Sequence, residues 1–177
     1  YDSGAANFPF QRIDGGTIER GLEADHAVCV EDNSVWFLGD DLVFYRLDGT
    51  VPRRVSTHAI EEEIRAATSR VDAYAMSMTI SGHKQVFLII PRAGLTFVYD
   101  IASGLWHRRE SYDANGNGLG RWRGHCHTRV YDKDIIGDIF SNQIGYVDTS
   151  VATEFGDTIR MSMTSPPTHS DRKRVFY

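Results

Sequence analysis

Apolar residues in this chain come in short runs separated by turn-forming residues, and one phrase is written three times. A hydrophobic strand leads through a tight turn into a second strand that closes on an aspartate. The phrase occurs as Val35–Leu38, Gly39-Asp40-Asp41 and Val43–Leu47 before Asp48, then as Val86–Ile90 followed by Thr96–Tyr99 before Asp100. More loosely it returns as Asp134–Asp138 followed by Ile144–Val147 before Asp148. The closing aspartates at 48, 100 and 148 are separated by steps of 52 and 48 residues. A near-constant period of this size predicts a radial β-array, most economically a β-propeller, because one four-stranded sheet cannot bury both of its faces without neighbours.

The elements follow from the same pattern. Ala27–Val30, the polar turn Glu31–Ser34 and the Val35–Leu38 strand open the first unit. Gly39-Asp40-Asp41 joins two β-rich runs as a hairpin, and Pro52–Ser56 forms an outer strand after the Leu47–Thr50 turn. Ser56 or Thr57 can cap a short helix over 57–67. Ile60 and Ile64 define its apolar face, and Glu61, Glu62 and Glu63 form its wet face. In the second unit Ala73–Thr79 alternates and Ser81–Lys84 turns. The nearly unbroken apolar run at Gln85–Ile90 suits a strand buried on both faces. Pro91–Gly94 turns again, Leu95–Tyr99 follows, and Leu105–Arg109 is the edge strand. Residues 113–120, rich in Asn and Gly, read as a loop.

The third unit is expected to begin with one strand over Arg121–Tyr131, turn at Asp132–Asp134 and continue through Ile135–Ile139 and Ile144–Val147. A polar connection over Thr149–Asp157 precedes another alternating strand, Thr158–Met163. A basic turn over 165–174 then leads to Val175-Phe176-Tyr177. The fold class expected is all-β: a β-propeller fragment of about three to four blades in an incomplete ring, with one short helix. Residues 1–177 are read as a single domain, part of a larger propeller, and the chain as a piece of a longer protein.

Composition narrows the function more than the fold. A net charge of −5 gives no overall basic field, which argues against sequence-specific nucleic-acid binding. No apolar run approaches the ~20 residues that cross a bilayer, so no membrane partner is expected. Cys29 and Cys126 are too few and too far apart for a disulfide framework or a four-cysteine zinc site, and both read as reduced, buried small residues.

No catalytic, cofactor or metal residues are assigned. His125, Cys126 and His127 carry ligand atoms, but neighbours on a strand alternate faces, so the two histidines share one side and Cys126 takes the other. Consecutive glutamates on a helix point about 100° apart and do not converge as a carboxylate pair. Asp32–Ser34 and 113–120 lack calcium-loop spacing. The basic clusters remain, as interface residues or as solvated charges that discourage edge pairing. The candidates are Arg108, Arg109, Arg121, Arg123, Arg172, Lys173 and Arg174, with Asn115 and Asn117 in the 113–120 loop.

Several segments in fixed order carry a resemblance. They are Phe10–Ile13, Ser34–Gly39, Val43–Gly49, Arg54–Glu61, Gly82-His83, Phe97–Arg109 and Arg174–Tyr177. Together they resemble the packaged-DNA stabilisation proteins of short-tailed bacteriophages, the tail hub or head-completion proteins. The resemblance implies a non-enzymatic virion part, without cofactor, assembled in the host cytoplasm and located in the phage tail. It implies a ring of copies, a hexamer, below the portal and its adaptor, helping to retain packaged DNA and attaching a tail needle or fibre.

Two other readings fit parts of the pattern. Val98-Tyr99-Asp100 with Gly104 and Trp106 resembles the turn and tryptophan of a kelch-like protein-binding propeller, although Gly15-Gly16 is the only Gly-Gly pair. A glycan-binding or depolymerising tail propeller would need convergent carboxylates and exposed aromatics at one channel mouth. The aromatics here lie mainly within strands.

Overall fold

The structure is a computed structural model that describes residues 4, 8, 10, 11, 15–112 and 119–165, together with the backbone of 168–169 and 175–176. A first antiparallel sheet is a four-strand meander of β1 (Val28–Glu31), β2 (Ser34–Leu38), β3 (Phe44–Asp48) and β4 (Val51–Arg54). Helix α1 (His58–Ala66) leads to a second meander of β5 (Tyr74–Ile80), β6 (His83–Ile90), β7 (Leu95–Asp100) and β8 (Leu105–Arg108). A two-strand ladder of β9 (Glu110–Tyr112) and β10 (Leu119–Arg121) precedes the third meander. That sheet has three strands: β11 (Gly124–Val130), β12 (Lys133–Asp138) and β13 (Ile144–Tyr146). Two small hairpins follow, β14 (Thr153–Glu154) with β15 (Asp157–Thr158) and β16 (Thr168–His169) with β17 (Val175–Phe176).

The first two strands of every meander are joined in the same way. Asp32-Asn33, Ser81-Gly82 and Tyr131-Asp132 are two-residue turns in which both residues have positive φ. Such mirror-image turns match the right-handed twist of the strands they connect, and Asn, Asp and Gly accept them most readily. The turns begin at 32, 81 and 131, steps of 49 and 50 residues, and so mark the repeat more regularly than the closing aspartates do.

The meanders stand beside one another along their first strands. Ala75 N–H donates to the His26 carbonyl at 2.9 Å, making a parallel bridge next to β1, and Ser77 Oγ donates to the Val30 carbonyl at 3.2 Å. Lys84 ties the two neighbouring turns together, its ammonium 3.0 Å from Asp32. Parallel inner strands with sheets fanning outward are how propeller blades stack.

Between the first and second sheets lies one core layer, built from Trp36, Leu38 and Phe44 on one side and Val86, Leu88, Ile90 and Phe97 on the other. A second layer, Met78, Phe87, Ile89 and Val98 with Trp122 and Ile136, lies between the second and third sheets. Alternate residues of β6 therefore serve alternate layers. This is why Val86–Ile90 needs no polar positions, as the sequence predicts.

Helix α1 seals the outer side of the first layer with Ile60 and Ile64. Two expectations about it are corrected. Thr57 occupies the N-cap position but makes no side-chain cap bond. Ser56 instead accepts the Phe44 N–H at 3.0 Å and donates to Glu61 Oε1 at 2.6 Å. Glu61 is consequently buried rather than on the wet face, and Arg54 grips its carboxylate through Nε at 2.8 Å. Glu62 and Glu63 are exposed as expected.

The strand order also divides the connections between two rims. One rim holds the two-residue turns and the short Gly49-Thr50 and Ile101–Gly104 turns. The opposite rim holds the Gly39–Val43 and Pro91–Gly94 turns, the α1 crossover and the β9–β10 ladder. Two further sequence expectations are corrected here. The single strand over Arg121–Tyr131 is broken between β10 and β11, and Thr158–Met163 is not a strand beyond Thr158. The polar connection over Thr149–Asp157 in turn contains β14 and the positive-φ turn Phe155-Gly156.

Candidate functional site

Three of the arginines singled out in the sequence, Arg109, Arg121 and Arg123, converge where the second sheet meets the third, while Arg108 lies against Phe97 and Glu63 of α1 on the side of the first sheet. Chain connectivity brings them there. The outer strand β8 ends at Arg108, and the β9–β10 ladder carries the chain back across the second sheet before β11 begins. Trp122 N–H donates to Thr96 Oγ1 at 3.0 Å and Arg123 N–H to Ser111 Oγ at 3.1 Å, which fixes the crossover to both elements.

Trp122 is the centre of this junction. Its ring stacks on Phe87 with centroids 5.1 Å apart and takes the Arg109 guanidinium on its other side at 4.5 Å. Its Nε1–H donates to Glu154 at 2.6 Å, and the other oxygen of that carboxylate accepts from Ser111. Burial lowers the Arg109 pKa, and the Glu154 charge offsets only part of that effect. The site also explains the glycine two residues on, since a Cβ at Gly124 would lie 2.5 Å from the Trp122 ring.

Arg123 clamps the hairpin that follows. Its guanidinium meets Asp138 in a two-point contact, Nε to Oδ1 at 2.9 Å and an NH2 to Oδ2 at 2.6 Å. Its remaining nitrogen donates to Asp157 at 2.6 Å and to the Glu154 carbonyl at 3.1 Å. The rings of Phe140 and Phe155 flank the group at 5.7 and 5.0 Å. Burial alone would raise the Asp138 pKa, but donation from Arg123, Ser141 and the Phe140 N–H outweighs it and holds the carboxyl at about 2. The same contacts hold the Arg123 pKa above its ordinary value.

These placements correct the surface position expected for two candidates. Arg123 and Arg121 are buried, and the charge of Arg121 offsets part of the rise that burial causes in the Tyr74 pKa. Arg109 is half-buried on Trp122. Arg108 remains accessible on the outer strand, 3.1 Å from Glu63 of α1. Asn115, Asn117, Arg172, Lys173 and Arg174 lie outside the described residues. The sequence reading overlooked Ser111, Asp138, Glu154 and Asp157. Centring a hairpin on Tyr131-Asp132 sets His125 opposite Asp138, and the register shift at His125 moves that pairing to Gly124, next to Arg123. Nothing local marks Glu154.

Beside the junction a cleft of about 440 Å³ opens between Arg109, Trp122 and Glu154 on one wall and Ile144, Tyr146 and Phe155 on the other. Among the described residues no group of three or more His, Cys, Asp or Glu is gathered to hold a metal. His127 bonds Asp134 at 2.8 Å. His125 is the extra residue where the register shifts, and it packs edge-on against Tyr74 with centroids 5.4 Å apart. Cys126 is exposed, which corrects its expected burial, and Cys29 is partly buried. No described helix is long and apolar enough to cross a membrane.

What the arrangement offers is rigidity, with its charged groups turned to one another. A comparison with protein-family models matches residues 1–152 to the phage-stabilisation family described as Bacteriophage P22 Gp10, beta-propeller. The chain belongs to this family. It is therefore a phage structural protein with a β-propeller fold, and the three meanders are blades of that fold. The match spans all three of them and stops within the connection that precedes β14. No curated protein matches the chain in a sequence search.

Proposed function

We propose that this protein acts as a tail hub. Copies of it form a ring below the portal and its adaptor, help to retain packaged DNA and provide the attachment for a tail needle or fibre. The family match over residues 1–152 carries the reading. The packing supports it: two continuous core layers and the Arg123 clamp make the blades one stiff wedge, suited to transmitting load between neighbours rather than to closing around a substrate. In this reading Arg108 and the loops of the elaborated rim meet adjoining proteins, and assembly is the whole mechanism.

Cryo-electron microscopy of the virion that encodes the chain tests the proposal. Density for these blades in a ring between portal and tail tip is the expected result. Absence of the protein from the particle would overturn it.

A further inference from the structure

We propose that the cleft beside Trp122 is a docking site for an acidic segment of a partner protein, one that presents a carboxylate to Arg109 and an aliphatic side chain to Ile144 and Tyr146. Arg109 differs from the arginines around it. Arg108, its neighbour in the chain, lies 3.1 Å from Glu63, and Arg123 meets Asp138 and Asp157 at 2.6 Å each. Among the described residues no carboxylate comes within ion-pair distance of the Arg109 guanidinium, which rests on the Trp122 ring at 4.5 Å. A half-buried cation whose N–H fork no carboxylate has claimed is a strong site for one, because a carboxylate accepts from two of those N–H groups at once.

The carboxylates that line the cleft are engaged elsewhere. Both oxygens of Glu154 accept, one from the Trp122 indole at 2.6 Å and the other from Ser111. Asp148 accepts from the N–H and the hydroxyl of Ser150 at 2.9 and 2.6 Å. The lowered pKa of Arg109 agrees with this, since burial acts on the group more strongly than the Glu154 charge does.

The opposite wall is apolar and open to water. Ile144 is 78% exposed and Tyr146 55% exposed, and both lie on β13, the outermost strand of its sheet. Val147 N–H donates to the Asp134 carbonyl at 2.9 Å, and Asp138 N–H donates to the Gln143 carbonyl at 3.0 Å. Alternation along an antiparallel ladder then turns the backbone groups of Ile144 and Tyr146 the other way, outward at the mouth of the cleft. Main-chain donors and acceptors beside an apolar wall and an unpaired cation suit an extended peptide. A free small acid would reach the cation and leave the rest unused. The proposal goes beyond the hub reading and survives its failure, because it concerns a site and not a place in the virion.

Fluorescence polarisation with the intact protein tests it. The probe is a labelled, capped peptide with one glutamate flanked by leucines, and a second peptide carries glutamine instead. The glutamate peptide is expected to bind about tenfold tighter, the scale of one hydrogen-bonded charge pair, with the difference shrinking as salt is added. Arg109→Gln should remove the difference, and Arg108→Gln should leave it. Ile144→Glu, at an exposed position that the fold does not need, should weaken the glutamate peptide by a similar factor. Equal affinity for the two peptides, no binding, or unchanged binding in Arg109→Gln or in Ile144→Glu would overturn the proposal. So would displacement of the peptide by an equal concentration of isovalerate, which would make the cleft a site for a free acid.

Discussion

The indole of Trp106 on β8 donates its Nε1–H to the carbonyl of Val55 at 3.1 Å, joining the outer strand of the second blade to the chain as it leaves the first. The same ring packs edge-on against Phe44 at 5.7 Å and beside Tyr99 at 5.1 Å. Replacing Trp106 with Phe keeps most of the packing and removes the hydrogen bond, so about 1 kcal/mol of stability should be lost. Trp106→Ala should cost about 3–5 kcal/mol. Urea unfolding checks both, with midpoints falling and slopes unchanged.

Gly124→Ala tests the Trp122 junction. The added methyl would overlap an indole already held by Phe87 and Glu154, so the ring cannot yield freely. A loss of about 1–3 kcal/mol is expected. Gly120→Ala meets nothing within 4 Å and should show no such overlap penalty. Thermal unfolding of the two variants side by side gives the comparison.

The Arg123–Asp138 pair sets a pH dependence. Side-chain exposure is 5% for Arg123 and zero for Asp138, so Asp138→Asn leaves a buried guanidinium short of its main partner and should cost about 3–5 kcal/mol. In the wild type the Asp138 pKa falls from 3.8 unfolded to about 2 folded. A depressed carboxyl stabilises fully above its unfolded value, and that stability is lost as pH falls toward the folded value. Melting temperature should therefore drop as pH is lowered from about 4 to 2, and less steeply in the Asn variant.

Thiol labelling should separate the two cysteines. Burial, reinforced by the charge of Glu31, raises the Cys29 pKa to about 12, so almost none of it is thiolate at pH 8. Cys126 is exposed. A chromogenic disulfide reagent should titrate one thiol in the native protein and two after unfolding, and Cys126→Ser should abolish the native signal.

Much of the blade architecture was legible because hydrophobic periodicity reports how many faces of a strand are covered. Gln85–Ile90, with no polar alternation, announces a strand between two layers, and the turn residues at 32–33 and 81–82 announce hairpins. Charge patterns were poorer guides. Glu61 and Glu62 are chemically alike and adjacent, yet one is buried because Arg54 and Ser56 come to it from the first blade. Arg123 looked like a surface charge for the same reason, since Asp138, Glu154 and Asp157 reach it only after folding. Thr158–Met163 has the pattern of a strand, but a strand needs a neighbour to pair with, and pattern alone does not supply one.

The unequal rims have a consequence for how such a protein can diverge. Along the rim of two-residue turns, an inserted residue would disturb the register of both strands it joins, and the turn between the first two strands keeps one form in all three blades. On the opposite rim, α1 and the β9–β10 ladder show that the chain can lengthen between blades without moving a strand. Descendants of one ancestral propeller can therefore acquire different attachments by rewriting a single edge of the disc, while the other edge stays interchangeable among them.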